Sequence, residues 1–249
     1  MKPVRDWIEY LVVRLFICFM QSFSLETCDL IARGLAWLAV DVLGVRGKLV
    51  EENLSSAYPQ LSAAERKAMA RGMWRHLLLM VCEIAHAPRK IHDTTWRRYV
   101  RFAARREQLR GMMQLRPKLV VTGHFGNFEI AGYVAGLWGF PTFTVARTLD
   151  NPHLEAFVRR FREVTGQFIL PKQGSSGDVD AVLKAGGLLC LLGDQHAGEK
   201  GCWVDFFGRP ASCHKALPLF ALERRADDRQ LAPPPGEAHA VRVRRVGDG

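Results

Sequence analysis

A histidine and a glutamate stand five positions apart in HFGNFE (residues 124–129), on either side of a glycine. On one continuous helix that spacing turns two side chains about 140° apart, and they would not meet. They converge only if His124 lies in a turn and Glu129 in the first turn of a following helix. Gly126 permits the tight backbone, and Asn127 is a suitable cap. A carboxylate on one imidazole nitrogen fixes the tautomer and stabilises imidazolium. The other nitrogen can then take a proton from a hydroxyl or an amine, which is general-base chemistry. A helix N-terminus beside it also favours an oxyanion or a phosphate. An isolated His and Glu would read as a satisfied structural pair. The turn context and the neighbouring strand ends argue for chemistry instead.

Those neighbours come from the elements that must position the pair. From residue 117 onward, short apolar runs alternate with helical patterns. KLVVTG, PTFTVA, QFIL and GLLCLLG read as strands, and NFEIAGYVAGL, PHLEAFVRRFREVTG and VDAVLKA as helices. The expected fold class is therefore α/β, with a helical N-terminal region followed by a mainly parallel sheet of βα units. In the second helix Asn151 is the cap, Pro152 the first residue, and Gly166 lies past the end. The strands end at His124, at Arg147 with Asp150 and Asn151, at Lys172, and at Asp194 with Gln195 and His196. Ligands of open α/β sheets bind outside such ends. Loop polarity alone explains less well why each end carries an acid, a base or an anion-binder. No G-x-S-x-G elbow or Walker loop occurs, so the base is expected to activate an acceptor directly. GSSG (residues 174–177) reads as a flexible or phosphate-contacting loop.

The first 116 residues read as helical. WIEYLVVRLFICFMQSF (residues 7–23) is apolar and aromatic but carries Glu9 and Arg14, without a signal-peptide cleavage site. An interfacial helix or a weak anchor fits it better than a span, with an ordinary buried helix as the alternative. LIARGLAWLAVDVLG (residues 30–44) is helical up to its glycine. SAAE (residues 62–65) is a capping box whose helix is expected to stop before Pro88. TTWRRYVRFAARREQLR (residues 94–110) is expected to be one helix with Arg97, Arg101 and Arg105 on a shared face. That face is either solvated or set against lipid headgroups.

The chain has 249 residues, 48% hydrophobic and 24% charged, with a formal net charge of +10 and a pI near 9.6. Its length supports a sizeable core, and its composition excludes disorder. The charge points to anionic partners without choosing among them. The aromatics sit in apolar runs and match no nucleic-acid motif, so nucleic acid is not an expected partner. The six cysteines are scattered as reduced thiols are, and they lack zinc-ligand spacing, so no metal is expected.

The blocks resemble a family. HFGNFE matches the H-x-x-x-x-(Asp/Glu) motif of the lysophospholipid acyltransferase superfamily. Its form is similar to that of the late, or secondary, acyltransferases of bacterial lipid A biosynthesis. ENLSSAYPQLSAAER (52–66), ARTLDNPHLE (146–155), LLGDQ (191–195) and GCWVDFFGRPAS (201–212) resemble further blocks of that branch, in order. The resemblance covers about residues 50–222. It implies an enzyme moving a fatty acyl chain from acyl carrier protein or acyl-CoA to a hydroxyl of a glycolipid, such as a lipid A precursor, or of a lysophospholipid. No bound cofactor is implied. It implies His124 as base, Glu129 as its orienter, and Arg147 as anion-binder or transition-state stabiliser. Asn127, Asp150, Asn151, Asp194 and Gln195 would shape the substrate site, and Phe206, Phe207 and Gly208 would border the acyl chain. Acyl carrier protein, anionic lipids and the lipid acceptor are the implied partners. The implied location is the cytoplasmic face of the bacterial inner membrane, peripheral or through one N-terminal anchor.

These readings divide the chain into a helical membrane-associating region (1–116), an acyltransferase core (117–222) and an atypical tail (223–249). The tail is rich in Arg, Pro and Gly, with an edge strand in VRVRRV at best. It departs from the family pattern, as a truncated or frame-shifted end would. A non-catalytic protein that binds lipid or acyl carrier protein at a membrane surface is the alternative function.

Overall fold

A computed structural model describes residues 2–102, 106–114, 116–172, 174–224 and 241–243. The chain opens with helices α1 (Lys2–Met20) and α2 (Leu25–Trp37), then a π-helical stretch (Leu38–Val42), α3 (Gly47–Ala57) and α4 (Ala63–Lys90). Short elements follow: α5 (Trp96–Tyr99), β1 (Val100–Phe102) and α6 (Arg106–Met113). The βα units are β2 (Lys118–Thr122), α7 (Phe128–Leu137), β3 (Thr142–Ala146), α8 (Pro152–Glu163), β4 (Gln167–Pro171), α9 (Ser176–Lys184) and β5 (Leu188–Leu192). A hairpin, β6 (Cys202–Phe206) and β7 (Arg209–Cys213), precedes α10 (Ala216–Arg224) and β8 (Val241–Val243).

The central sheet is parallel, in the order β2–β5–β3–β4. The last strand thus enters between the first two, which sets the ends of β2 and β5 side by side, with Thr122 opposite Leu192. Side chains alternate across the sheet. On one face, Leu189 and Leu191 pack with Val179 and Leu183 of α9 and with Phe143, Val145 and Leu217. A second core joins Ile130, Tyr133 and Val134 of α7 to Ala87 of α4, Ile91 and Val100. The α/β class and the four strands stand where alternation placed them.

Local chemistry accounts for the helix starts. Ser62 and Glu65 form the reciprocal capping box, with Ser62 N donating to Glu65 Oε2 at 2.7 Å. Asn151 caps α8 through Oδ1, with Pro152 at its start. Ser176 of GSSG opens α9.

Three expectations need correction. The helix from the capping box runs through Pro88 to Lys90: Pro88 loses its own backbone bond, but the pattern continues past it, with Ile91 N donating to the Ala87 carbonyl at 2.8 Å. The expected helix over residues 94–110 is broken: Val100 is buried in the core, and β1 pairs antiparallel with β8. Arg97 and Arg101 therefore share no helix face, and Arg105 lies outside the described residues. Burial of a β-branched residue and a strand partner far along the chain outweigh the helical spacing. Third, α2 does not simply end at Gly44 but widens first into the π-helical stretch. Most of the atypical tail lies outside the described residues.

The N-terminal helices lean on the rest. Arg75 of α4 grips Asp29 of α2 with Nε at 2.7 Å and a terminal nitrogen at 2.6 Å. Asn151 Nδ2 donates to the Asp6 carbonyl at 2.8 Å, and Arg14 lies over Phe157 of α8. The outer side of α1 stays bare, with Val4, Ile8, Leu11, Val12, Leu15 and Phe19 each more than half exposed. Among the described residues no single helix is long and apolar enough to cross a membrane; α1 and the helix through Val42 meet at a 119° bend.

Small residues set the position of α7. A Cβ on Gly136 would lie 1.7 Å from the Thr165 carbonyl oxygen, so the helix approaches the entry to β4 only with glycine there. We expect Gly136→Ala to destabilise the protein by about 1–3 kcal/mol, the range for overpacking. Urea unfolding measures this; an unchanged midpoint would contradict the contact.

Candidate active site

His124 follows β2 in a turn, and α7 begins four residues later, as the motif requires. Gly126 has φ 62, a left-handed conformation suited to glycine. Asn127 caps α7, its Oδ1 accepting from Ile130 N at 3.2 Å. Its amide nitrogen donates to Glu83 Oε2 at 2.8 Å and to the Met80 carbonyl at 3.3 Å, which ties the turn to α4. His76 Nε2 donates to the Gly126 carbonyl at 3.2 Å from the same helix.

The carboxylate on the imidazole is Asp194, one residue beyond the β5 end loop glycine. Its Oδ1 lies 2.7 Å from His124 Nδ1, and its Oδ2 accepts from the His124 backbone amide at 2.6 Å. An ionised carboxylate only accepts, so Nδ1 carries a proton, and in the neutral imidazole the lone pair then falls to Nε2. Gln195 Nε2 stands 3.4 Å from that nitrogen, and the Phe128 ring meets the imidazole edge to face at 4.9 Å. The closeness has a backbone cause. A Cβ on Gly123 would lie 2.8 Å from Asp194 Oδ2, so only a residue without a side chain leaves the carboxylate room.

Glu129, the expected orienter, is engaged elsewhere. Both its oxygens accept from Arg162 of α8, one from Nε at 3.0 Å and the other from a terminal guanidinium nitrogen. The reason is topological: insertion of β5 beside β2 brings Asp194 to His124, while the first turn of α7 aims Glu129 at α8. Arg147 and Asp150 pair with each other at 3.0 Å in solvent just past β3. Asn151 is buried as helix cap and tether to α1. The site thus gathers His124, Asp194, Gln195 and Asn127. Phe206 and Phe207 sit at the exposed tip of the β6–β7 hairpin, with Phe207 at φ 54 and 5.9 Å from the Tyr58 ring.

Sequence reasoning missed Glu83, His76 and Arg162. Glu83 had a signal, a lone acid inside the apolar run MVCEIAHA. His76 and Arg162 had none, since each matters only through a partner far along the chain.

Burial raises the Asp194 carboxyl, but the hydrogen bonds from the His124 ring and amide and from its own backbone outweigh it and hold it below the ordinary range. A depressed carboxyl stabilises the fold fully above the unfolded value, about 3.9, and loses that contribution as pH falls through the lower folded value. We expect Asp194→Asn to melt lower than wild type at neutral pH, with the gap closing below about pH 4. Thermal melts across pH measure it, and a gap independent of pH would contradict the assignment. Glu129→Gln should cost about 1–3 kcal/mol of stability by leaving Arg162 half-paired.

The arrangement is a His–Asp pair on adjacent strand ends, with the second imidazole nitrogen met by the Gln195 amide beside a helix N-terminus. No curated protein sequence matches the chain. A sequence model of one family, described as bacterial lipid A biosynthesis acyltransferase, matches residues 1–227. The chain therefore belongs to the bacterial lipid A biosynthesis acyltransferase family and is an acyltransferase.

Proposed function

We propose that the chain transfers a fatty acyl group from an acyl carrier protein or coenzyme A thioester to a hydroxyl of a lipid A precursor, at the cytoplasmic face of the bacterial inner membrane. The observation that carries the mechanism is the Asp194–His124 pair, with Nδ1 held at 2.7 Å and Nε2 met only by the Gln195 amide at 3.4 Å, a long bond that an acceptor hydroxyl can displace. His124 Nε2 takes the proton of the acceptor hydroxyl as its oxygen attacks the thioester carbonyl. Asp194 stabilises the imidazolium that results. The first amides of α7 face the developing oxyanion as helix N-termini do. Collapse breaks the C–S bond, and the leaving sulfur receives the proton from Nε2. The C–O bond of the new ester replaces the thioester bond.

Arg147 supports binding of a phosphorylated acceptor. Its pair with Asp150 is exposed and cheap to exchange for a substrate phosphate. The positive net charge favours acidic acyl carrier protein and anionic lipids. The bare apolar side of α1 suits burial in an interfacial layer while its other side stays on α8.

The test uses membranes carrying wild type or His124→Ala, labelled acyl–carrier protein and acyl-CoA, and a panel of lipid A precursors and lysophospholipids. Labelled product from wild type, reduced about 10²–10⁴-fold in His124→Ala, is the expected result. Asp194→Asn should fall nearly as far, and Glu129→Gln much less. No product from folded, membrane-bound wild type would overturn the reading in favour of a protein that binds lipid or acyl carrier protein without turnover.

A further inference from the structure

The turn that carries His124 is soft by itself. Gly126 sits in it at φ 62, a residue with few conformational limits, so contacts from outside must fix the turn. Helix α4 supplies them at two successive positions. His76 Nε2 donates to the Gly126 carbonyl at 3.2 Å. Asn127 Nδ2 donates to Glu83 Oε2 at 2.8 Å and to the Met80 carbonyl at 3.3 Å. His76, Met80 and Glu83 stand at i, i+4 and i+7, so one stripe of α4 makes all three contacts.

The neighbouring stripe of α4 is anchored the other way. Arg75, Leu79 and Cys82 repeat the same spacing one residue earlier. Arg75 grips Asp29 of α2, and Leu79 and Cys82 pack with Cys28 and Met20. One turn further on, His86 Nε2 lies 3.0 Å from the Phe23 carbonyl oxygen. The support for the turn is therefore a helix held on two sides.

Glu83 is the costly member of the stripe. It interrupts the apolar run MVCEIAHA and is only 8% exposed. A carboxylate taken out of water needs hydrogen-bond donors to offset the loss, and packing alone gives no reason for one there. What it supplies is direction. Glu83 Oε2 and the Met80 carbonyl both accept, so the Asn127 amide must turn its nitrogen to α4 and its oxygen to α7. The oxygen is then committed to Ile130 N at 3.2 Å, as the cap of α7. A reversed amide would lose all three bonds at once.

We propose that Glu83 is a positioning residue for the reaction: by orienting Asn127 it fixes the turn from which His124 meets its substrate. The assignment rests on the acyl-transfer reading above. Glu83 acts through Asn127 and the turn, so its loss should slow turnover and leave substrate binding in place.

The test measures kcat and KM for wild type, Glu83→Ala, Glu83→Gln, Asn127→Asp and the swapped double variant Asn127→Asp/Glu83→Gln, each below its melting temperature. Hydrogen exchange of the amides in residues 123–131 is followed on the same full-length proteins. Glu83→Ala should lower kcat about 10- to 100-fold with KM moved by about twofold at most, the scale of a misplaced reacting group. Glu83→Gln keeps an oxygen that can accept from Asn127 and should lose about threefold or less. Asn127→Asp sets two carboxylates against each other and should fall as far as Glu83→Ala. The swap restores a donor opposite an acceptor, with aspartate still able to cap α7, and should recover about tenfold over Asn127→Asp. Exchange in the turn should quicken in Glu83→Ala and Asn127→Asp and slow again in the swap. An unchanged kcat in Glu83→Ala, or a loss confined to KM, overturns the proposal. A loss in Asn127→Asp that the swap does not recover overturns it too, and makes Asn127 a direct substrate contact. If Glu83→Ala does not fold, Asn127→Asp and its swap decide the matter by themselves. No acyl product from folded wild type, with exchange that still follows the Glu83–Asn127 pair, would remove the acyl-transfer reading and uphold Glu83 as the residue that positions the turn.

Discussion

The hydrogen-bonded clamp between Asp194 and His124 is the interaction on which the site depends. One carboxylate takes both the ring and the backbone amide of the histidine, at 2.7 and 2.6 Å. Two bonds fix a side chain more firmly than one, and bonds to an ionised acceptor are the strong kind. The clamp forms because β5 enters the sheet beside β2, and because Gly123 leaves the carboxylate room. The sheet order therefore builds this pair as much as it builds the core.

The second carboxylate near the histidine has a mechanical role in this arrangement. Glu129 and Arg162 are each mostly shielded from solvent and joined by two bonds, which locks the start of α7 against α8. Asn127 locks the same turn against α4. The imidazole is thus aimed from three directions: by a neighbouring strand end, a following helix and an N-terminal helix. The proposed role of His124 as general base requires this rigidity, because proton transfer succeeds only within a narrow range of positions.

The N-terminal helices join this frame through polar ties that are partly or fully buried. Asp29 with Arg75, and Asn151 with the Asp6 carbonyl, hold α1 and α2 to α4 and α8. The exposed side of α1 is left apolar, a costly arrangement in water that an apolar phase relieves. The proposed bilayer partner would supply that phase.

Much of this was legible in the sequence. Alternating short apolar runs and helical patterns located β2 to β5 and the helices between them, because that alternation is how βα units read in sequence. The turn at His124, the Asn127 and Asn151 caps and the Ser62 capping box followed from local hydrogen-bonding rules, which act within four residues. The ordered motifs carried the family. Only the tertiary structure decided which carboxylate meets the imidazole. Glu129 is five residues away in sequence and Asp194 seventy, yet strand insertion brings the distant one into contact. It also decided that Val100–Phe102 is a strand, since burial and pairing with Val241–Val243 override helical spacing. Local propensity is written in neighbouring residues. Strand order and long-range ion pairs are properties of the packed chain, set by which arrangement buries its apolar faces and satisfies its polar groups together.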